Sequence, residues 1–257
     1  MHVRDIGAGP PVVLLHAGPG LDGSIFLPGA ERLARSHRLL IVDLPGSGRS
    51  EDPGDWTLAA HARAVEALAA ELGLRAWTLL GHSFGGYVAM RHLTDFPGIA
   101  ARYVASCTDA SEEPAAEEDW YSGLSSDVAA RVQAAEELEA SATTPEELRR
   151  AWLGMLPVFA RDPAVLEPML ADVVFRPGAV GHEMGELEAL SALAGTDVPV
   201  LAIAGSEDRA TPPAAARRIA DTAPRGELLM IEGAGHFPFA EEPEAYWGGV
   251  GEWLARA

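Results

Sequence analysis

The stretch from Trp77 to Met90 constrains the fold of this chain more than any other segment. A short apolar run leads into Gly81-His82-Ser83-Phe84-Gly85, and a pattern typical of a helix follows. Glycines on both sides of Ser83 allow a strand and a helix to approach closely across a sharp turn. Such a turn pushes the serine hydroxyl out of the sheet and points the first amides of the helix at one spot. We therefore expect Ser83 to be a nucleophile, with the N–H of Phe84 stabilising an oxyanion.

A nucleophilic serine needs a base that takes its proton and an acid that orients the base. Two later loops carry these residue types: Asp208 follows a predicted strand at 198–204, and His236 follows one at 227–231. Open α/β sheets bind ligands at the carboxyl ends of their strands. The order serine, aspartate, histidine therefore makes Ser83, Asp208 and His236 the candidates for a catalytic triad. Asp109 also follows a predicted strand, so it is the alternative acid.

Strand-like and helix-like segments alternate over residues 1–110 and again over 191–257. This alternation predicts an α/β fold, with a mostly parallel central sheet and helices on both faces. Between them, residues 111–190 contain no clear strand, and they hold seventeen acidic and five basic residues. Several helical stretches in this insert are separated by Pro145, Pro157, Pro163, Pro168 and Pro177. We expect a core formed by 1–110 and 191–257, and a helical lid (cap) formed by the insert 111–190.

The charge and composition restrict the partners. The formal net charge is -19, and every basic residue apart from the histidines is Arg. The absence of Lys excludes Schiff-base chemistry, and the absence of a basic patch argues against nucleic acid. Metal-ligand spacing with carboxylates or with Cys107 is absent for His2, His37, His61, His92 and His182. We expect a small-molecule substrate, no cofactor and no metal.

The length and the amino-terminal sequence favour a soluble protein of the cytoplasm. No apolar run approaches the roughly 20 residues of a membrane span, and residues 1–5 do not resemble an export leader. The single cysteine, Cys107, excludes an internal disulfide and suits a reducing compartment. The sequence does not indicate an oligomeric state.

Five segments together resemble the α/β-hydrolase fold superfamily, along nearly the whole chain. They are His16-Ala-Gly-Pro-Gly20, Asp43-Leu-Pro-Gly-Ser-Gly-Arg-Ser50, Gly81-His-Ser-Phe-Gly-Gly86, Gly205-Ser-Glu-Asp208 and Gly233-Ala-Gly-His236. The resemblance implies a serine hydrolase in which Ser83 attacks, His236 is the base and Asp208 is the acid. It also implies a second oxyanion donor in the loop after His16, the backbone N–H of Gly18.

Within the superfamily, residues 16–26 are similar to proline iminopeptidase-like members, whereas the serine segment is also similar to esterases, lactonases and carbon–carbon bond hydrolases. The family aminopeptidases hold the substrate amine with glutamates, one of them near the catalytic aspartate, where this chain has Arg209. The resemblance therefore implies hydrolysis of a small ester, lactone or amide, with a proline iminopeptidase-like aminopeptidase as the alternative. The lid residues that could bind a cationic substrate are Glu183, Glu186 and Glu188.

Two functions of other classes stay open. Gly18-Pro-Gly20-Leu-Asp-Gly23, followed 20 residues later by Asp43, has the outline of a dinucleotide-binding fingerprint of an oxidoreductase. Pro28-Gly29, however, interrupts the long helix that should receive the pyrophosphate. The second open function is that of a ligand receptor or slow signalling hydrolase with the same fold. It stays open because a fold does not determine a function.

Overall fold

Seven strands form one sheet at the centre of the protein. The computed structural model describes residues 1–111, 120–182, 185 and 187–256. Its strands are β1 (Val3–Gly7), β2 (Pro11–Leu15), β3 (Arg38–Val42), β4 (Thr78–His82), β5 (Arg102–Ser106), β6 (Val200–Gly205) and β7 (Gly226–Ile231). They lie in the order β1-β3-β2-β4-β5-β6-β7, with β1 antiparallel to β3 and every other pair parallel. The predicted mostly parallel sheet is confirmed.

Helices cover both faces of this sheet. They are α1 (Leu27–Ala34), α2 (Leu58–Glu71), α3 (Phe84–Asp95), α4 (Ser126–Ser141), α5 (Pro145–Phe159), α6 (Pro163–Leu166), α7 (Leu190–Gly195), α8 (Pro213–Thr222), α9 (Pro238–Glu241) and α10 (Pro243–Ala255). The predicted cap of α2 is present, because the Thr57 hydroxyl accepts a hydrogen bond from Ala60 N at 3.2 Å. Gly73, with φ +62°, lies just past the end of that helix.

Side chains that alternate along the strands divide the core into two hydrophobic clusters, one on each face of the sheet. Val13 and Leu15 belong to the cluster that packs against α2, α3, α7 and α8. Val12 and Leu14 belong to the other cluster, which includes buried side chains of α1, α5 and α10. Because α5 lies in the predicted lid, the lid packs as part of the main core.

The described residues between β5 and β6 are helical or irregular, except for an isolated antiparallel bridge between Ser111 and Glu188. A capping box of Thr144 and Glu147 begins α5. Pro157 was expected to separate two helices, but it lies inside α5, two residues before its end. Its missing N–H therefore interrupts only the last turn.

The limits of the lid at 111 and 190 remain a prediction. Glu183 and Glu186, two of the three acidic lid residues named above, lie outside the described residues. Among the helices in the described ranges, none combines the length and apolar character that would let it cross a membrane.

The candidate dinucleotide segment does not open a long helix. After Gly18 and Gly20 the chain forms a short 3-10 helix, Gly23–Phe26, and then α1, whose Pro28 and Gly29 have non-helical dihedral angles. A long helix N-terminus that could receive a pyrophosphate is therefore absent from this described segment. The fingerprint reflects a glycine-rich turn.

Candidate active site

Ser83 occupies a strained turn between β4 and α3. Its backbone has φ +53° and ψ -117°, a conformation that non-glycine residues rarely adopt. The flanking glycines make room for this turn. A Cβ atom on Gly81 would lie 2.1 Å from the carbonyl oxygen of Gly85, and one on Gly85 would lie 2.2 Å from that of Leu15. The predicted strand, turn and helix are confirmed, and their close approach explains the glycines.

Hydrogen bonds from β5 and the residues after it hold the turn in place. Ser83 N donates to the carbonyl oxygen of Ser106 at 2.9 Å. The hydroxyl of Thr108 donates to the carbonyl oxygen of Ser83, also at 2.9 Å. The backbone N–H and C=O of Ser83 therefore both have hydrogen-bond partners, which offsets part of the free-energy cost of the strained conformation.

Asp208 and His236 form a buried acid–base pair. His236 Nδ1 lies 2.9 Å from Oδ2 and 3.1 Å from Oδ1 of Asp208, and both residues are almost fully buried. The carboxylate also accepts hydrogen bonds from Ala210 N at 2.9 Å, Thr211 N at 3.0 Å and the Thr211 hydroxyl at 2.9 Å. A carboxylate fixed by these three donors can orient the imidazole and leave Nε2 free to accept a proton.

Asp109, the alternative acid, is engaged elsewhere. Its Oδ1 accepts hydrogen bonds from Arg218 Nη2 at 2.6 Å and from Ala110 N at 2.7 Å. The imidazole of His236 is instead bonded to Asp208. The geometry therefore favours Asp208 over Asp109 as the acid.

The loop after β2 lies directly beside the serine turn. Gly85 N donates to the carbonyl oxygen of His16 at 3.0 Å. The His16 ring bridges two segments, because Nδ1 bonds to the carbonyl oxygen of Ala17 at 2.8 Å and Nε2 accepts from Leu44 N at 3.0 Å. Burial lowers the pKa of His16, so its ring is neutral and suited to this bridging role.

Gly18 has φ +48°, and a Cβ atom there would lie 2.8 Å from the indole ring of Trp152 in the lid. Within the described part of the chain, the backbone N–H groups of Gly18 and Phe84 donate no hydrogen bond. Two unused amides, in a loop bonded to the serine turn and at the first residue of α3, are what an oxyanion hole requires.

Two buried aspartates, Asp22 and Asp43, form hydrogen bonds that hold the loop after β2. Asp22 accepts hydrogen bonds from Ser24 N at 2.9 Å and from Val174 N of the lid at 3.0 Å. Asp43 accepts from Gly23 N and Arg49 N, each at 3.0 Å. The Arg49 guanidinium lies 3.2 Å from Asp22 and 3.6 Å from Asp43. Asp22 and Asp43 thus share the Arg49 guanidinium, and Val174 of the lid also bonds to Asp22.

Aromatic side chains of the lid cover His236. The ring of Phe159 stacks on the imidazole with centroids 5.5 Å apart, and Trp152 stacks on Phe159 at 5.3 Å. Trp120 meets Phe159 edge-on at 5.5 Å. Of the aromatic lid residues, Trp152, Phe159 and Phe175 are buried in the core cluster. They pack the lid onto the sheet and place an apolar surface beside the base.

Two other buried groups lie next to the pair. The His82 ring is 5.1 Å from that of His236 and bonds through Nδ1 to the Ser106 hydroxyl at 3.2 Å. Burial, together with His236, lowers the pKa of His82 well below its usual value. Burial and the charge of Asp208 raise the pKa of the Cys107 thiol, so it stays protonated. Although Cys107, Asp208 and His236 have metal-ligating atoms within 4.8 Å of one another, the Asp208–His236 bond already occupies two of them.

The sequence reasoning missed Thr211 and Asp22. Thr211 contributes two of the donors to Asp208. Its position three residues after an aspartate, in a loop that follows a strand, is the signal that could have revealed it. Asp22 was noted only as part of a glycine-rich turn, and its bond to Val174 spans 152 residues. No local pattern predicts such a contact.

Comparisons with known proteins agree with this geometry. The family model described as the alpha/beta hydrolase fold matches residues 10–243. The chain belongs to the α/β-hydrolase fold family. In this α/β-hydrolase, Ser83, Asp208 and His236 lie after the carboxyl ends of β4, β6 and β7.

Relatives of this α/β-hydrolase are esterases. A pimeloyl-[acyl-carrier protein] methyl ester esterase of Xanthomonas campestris is 34% identical over 244 residues, covering 93% of this chain and 92% of that protein. The protein of that name from Xylella fastidiosa is 30% identical over 250 residues, covering 93% and 92%. A thermophilic esterase from Thermogutta terrifontis superimposes with a TM-score of 0.79 at 28% identity, covering 99% of this chain and 93% of that one. The predicted class, a serine hydrolase, is confirmed.

Proposed function

We propose that this protein is an esterase that cleaves small carboxylic esters through an acyl-enzyme on Ser83. The observation that carries the proposal is the buried pair of His236 and Asp208, joined at 2.9 Å. Strand β4, which ends one residue before the strained serine, brings His82 against the same imidazole, with ring centroids 5.1 Å apart. A base, its orienting acid and a nucleophile turn therefore lie in one place.

In the acylation step, Ser83 Oγ attacks the ester carbonyl carbon while His236 Nε2 takes the hydroxyl proton. Asp208 accepts the Nδ1–H of the imidazole and stabilises the imidazolium that forms. The amides of Gly18 and Phe84 donate to the tetrahedral oxyanion. In enzymes of this kind the loss of one such donor raises the barrier by about 3 kcal/mol.

The tetrahedral intermediate then breaks down to the acyl-enzyme. His236 gives its proton to the leaving alkoxide, and the alcohol departs. Water enters, loses a proton to His236 and attacks the acyl carbonyl. The second intermediate returns the proton to Ser83 Oγ and releases the acid.

The surroundings of the base favour an apolar acyl chain. Phe159 and Trp152 form a stacked pair beside the imidazole, and their rings offer apolar area rather than charge. Because the curated relatives are named as methyl ester esterases, we propose that the alcohol released by this protein is also small, methanol being the first to test. The substrate is a small molecule.

The test is an ester panel assayed on wild type and on Ser83→Ala. Methyl, ethyl and aryl esters, lactones and a prolyl amide are compared by kcat/KM, and Ser83 is labelled with a fluorophosphonate. We expect turnover of the small alkyl esters, stoichiometric labelling, and loss of both in Ser83→Ala with an unchanged melting temperature. Folded wild type that neither hydrolyses any ester nor takes the label would refute the proposal and favour the ligand-receptor alternative.

Two contacts disfavour the aminopeptidase alternative. The Glu136 carboxylate of the lid is already used, because it accepts hydrogen bonds from Trp120 Nε1 and the Tyr121 hydroxyl, each at 2.6 Å. The Arg209 guanidinium, next to Asp208 in the chain, lies against Gly123 of the lid, so this position offers a cation in place of the carboxylate that a substrate ammonium needs. The prolyl amide in the panel tests this point, and a preference for it over alkyl esters would restore the aminopeptidase alternative.

A cytoplasmic location is proposed on the sequence alone.

A further inference from the structure

The loop that carries His236 is bound by a carboxylate outside the triad. Glu241, the last residue of α9, accepts hydrogen bonds from Gly235 N at 3.0 Å to each oxygen and from Phe237 N at 3.1 Å. The backbone N–H of Arg161, between the lid helices α5 and α6, also stabilises this carboxylate. One side chain therefore binds the residues on both sides of the histidine and a residue of the lid.

The N–H of His236 itself bonds to a different acceptor. It donates to the carbonyl oxygen of Phe159, the last residue of α5, at 2.6 Å. The loop packs closely against the end of this helix, because a Cβ atom on Gly235 would lie only 2.4 Å from the same oxygen. Three successive amides thus bond to Glu241 or to the end of α5. A shift of the histidine backbone would break at least one of these bonds.

A carboxylate is suited to this position in a way that a neutral amide is not. It offers two oxygens that only accept, so several N–H donors can converge on it. Burial raises the pKa of the Glu241 carboxyl, whereas the three amides act in the opposite direction. Glutamine would keep one acceptor oxygen but turn its NH₂ toward one of the amide donors.

We propose that Glu241 is a positioning residue for the esterase reaction: its carboxylate holds the His236 loop and the end of α5 in the arrangement in which the imidazole can serve Ser83. The inference rests on the proposed function. It adds that the lid and the base are fixed by the same side chain, so that the orientation of the imidazole depends on a residue that contacts neither substrate nor the reacting atoms.

The experiment compares Glu241→Gln and Glu241→Ala with Glu242→Gln, a change at the adjacent exposed glutamate. Misplacement of a catalytic group by about 1 Å costs on the order of 100-fold in rate. We expect kcat on the best ester of the panel to fall roughly 10-fold in Glu241→Gln and about 100-fold in Glu241→Ala. KM should change less than about threefold, because the groups that bind the ester remain. Glu242→Gln should behave as wild type.

A spectroscopic signal separates positioning from general destabilisation. The downfield proton resonance of the His236–Asp208 hydrogen bond should broaden or shift in both Glu241 variants and stay unchanged in Glu242→Gln. If Glu241→Ala does not fold, Glu241→Gln and its proton spectrum decide alone. Wild-type kcat with an unchanged resonance in folded Glu241→Gln would overturn the inference, as would equal losses in the control. Absence of ester turnover in wild type would instead be a failure of the proposed function.

Discussion

Replacement of Asp208 by Asn should abolish turnover by reversing the tautomer of His236. Oδ1 of Asp208 is fixed by two backbone amides, Ala210 N at 2.9 Å and Thr211 N at 3.0 Å. An asparagine must keep its carbonyl oxygen there, because its NH₂ group cannot accept those bonds. The NH₂ group then takes the place of Oδ2, which lies 2.9 Å from His236 Nδ1. Two N–H donors cannot face each other, so the imidazole proton moves to Nε2.

With a proton on Nε2, His236 cannot take the proton of Ser83. The corresponding aspartate-to-asparagine change in a serine protease lowers kcat about 10⁴-fold by this effect. At about 1.4 kcal/mol for each factor of ten, this is roughly 5.5 kcal/mol of barrier. We expect a loss of the same order here, with KM nearly unchanged. The fold should also persist, because the Thr211 hydroxyl can rotate and accept from the new NH₂ group.

The assay is kcat on an aryl ester and the rate of fluorophosphonate labelling, measured for Asp208→Asn and for Asp109→Asn. The second variant is the matched control, because Asp109 bonds to Arg218 rather than to the imidazole. The reasoning is refuted if Asp208→Asn keeps more than about a tenth of wild-type kcat. It is also refuted if Asp109→Asn is the more damaging change.

Three further predictions test other contacts. Gly85→Ala should lower the free energy of unfolding by about 3 kcal/mol, because the new Cβ would lie 2.2 Å from the carbonyl oxygen of Leu15. Gly178→Ala, with nothing within 4 Å of the new Cβ, should be nearly neutral. Urea denaturation measures both, and equal effects would contradict the packing argument. Cys107 should resist a disulfide reagent at pH 8 in the folded protein and react after unfolding, since burial raises its pKa; rapid reaction of native protein would be inconsistent with this. Burial and Glu136 raise the pKa of Glu139 to about 7 from 4.5, so the folded state holds the proton more tightly and stability falls as pH rises from about 4.5 to about 7. Glu139→Gln should therefore raise the melting temperature at pH 8 and leave it unchanged at pH 4, and a higher melting temperature at pH 4 alone would show the sign to be wrong.

Much of the fold was predictable because its signals are local. The strands predicted at 198–204 and 227–231 agree with β6 and β7 to within two residues. The turn at Ser83 follows from two glycines whose missing side chains the close packing requires. The pairing of His236 with Asp208 was predictable for a related reason. Loops at the same edge of a parallel sheet converge, so their order along the chain indicates which side chains meet.

The rest depends on contacts between distant segments. The sequence ranks Asp208 ahead of Asp109 but offers no contact to support the ranking. The bond of Asp109 to Arg218, 109 residues away, supports it. Pro157 suggested a break, yet α5 continues through it to Phe159. The helix tolerates this proline near its end. Glu241 lies in a short helix with no motif of its own, and its bonds to the histidine loop are visible only in three dimensions.

The shared packing of lid and sheet has a consequence for how such an enzyme could change its substrate. Trp152 and Phe159 lie beside the base and at the same time belong to the hydrophobic cluster that contains Val12 and Leu14. Truncation of one buried aromatic side chain costs about 3–5 kcal/mol, a large part of the 5–15 kcal/mol that typically keeps a domain folded. Evolution or engineering of a wider acyl specificity must therefore proceed by paired substitutions, in which each enlargement beside His236 is matched by a stabilising change elsewhere.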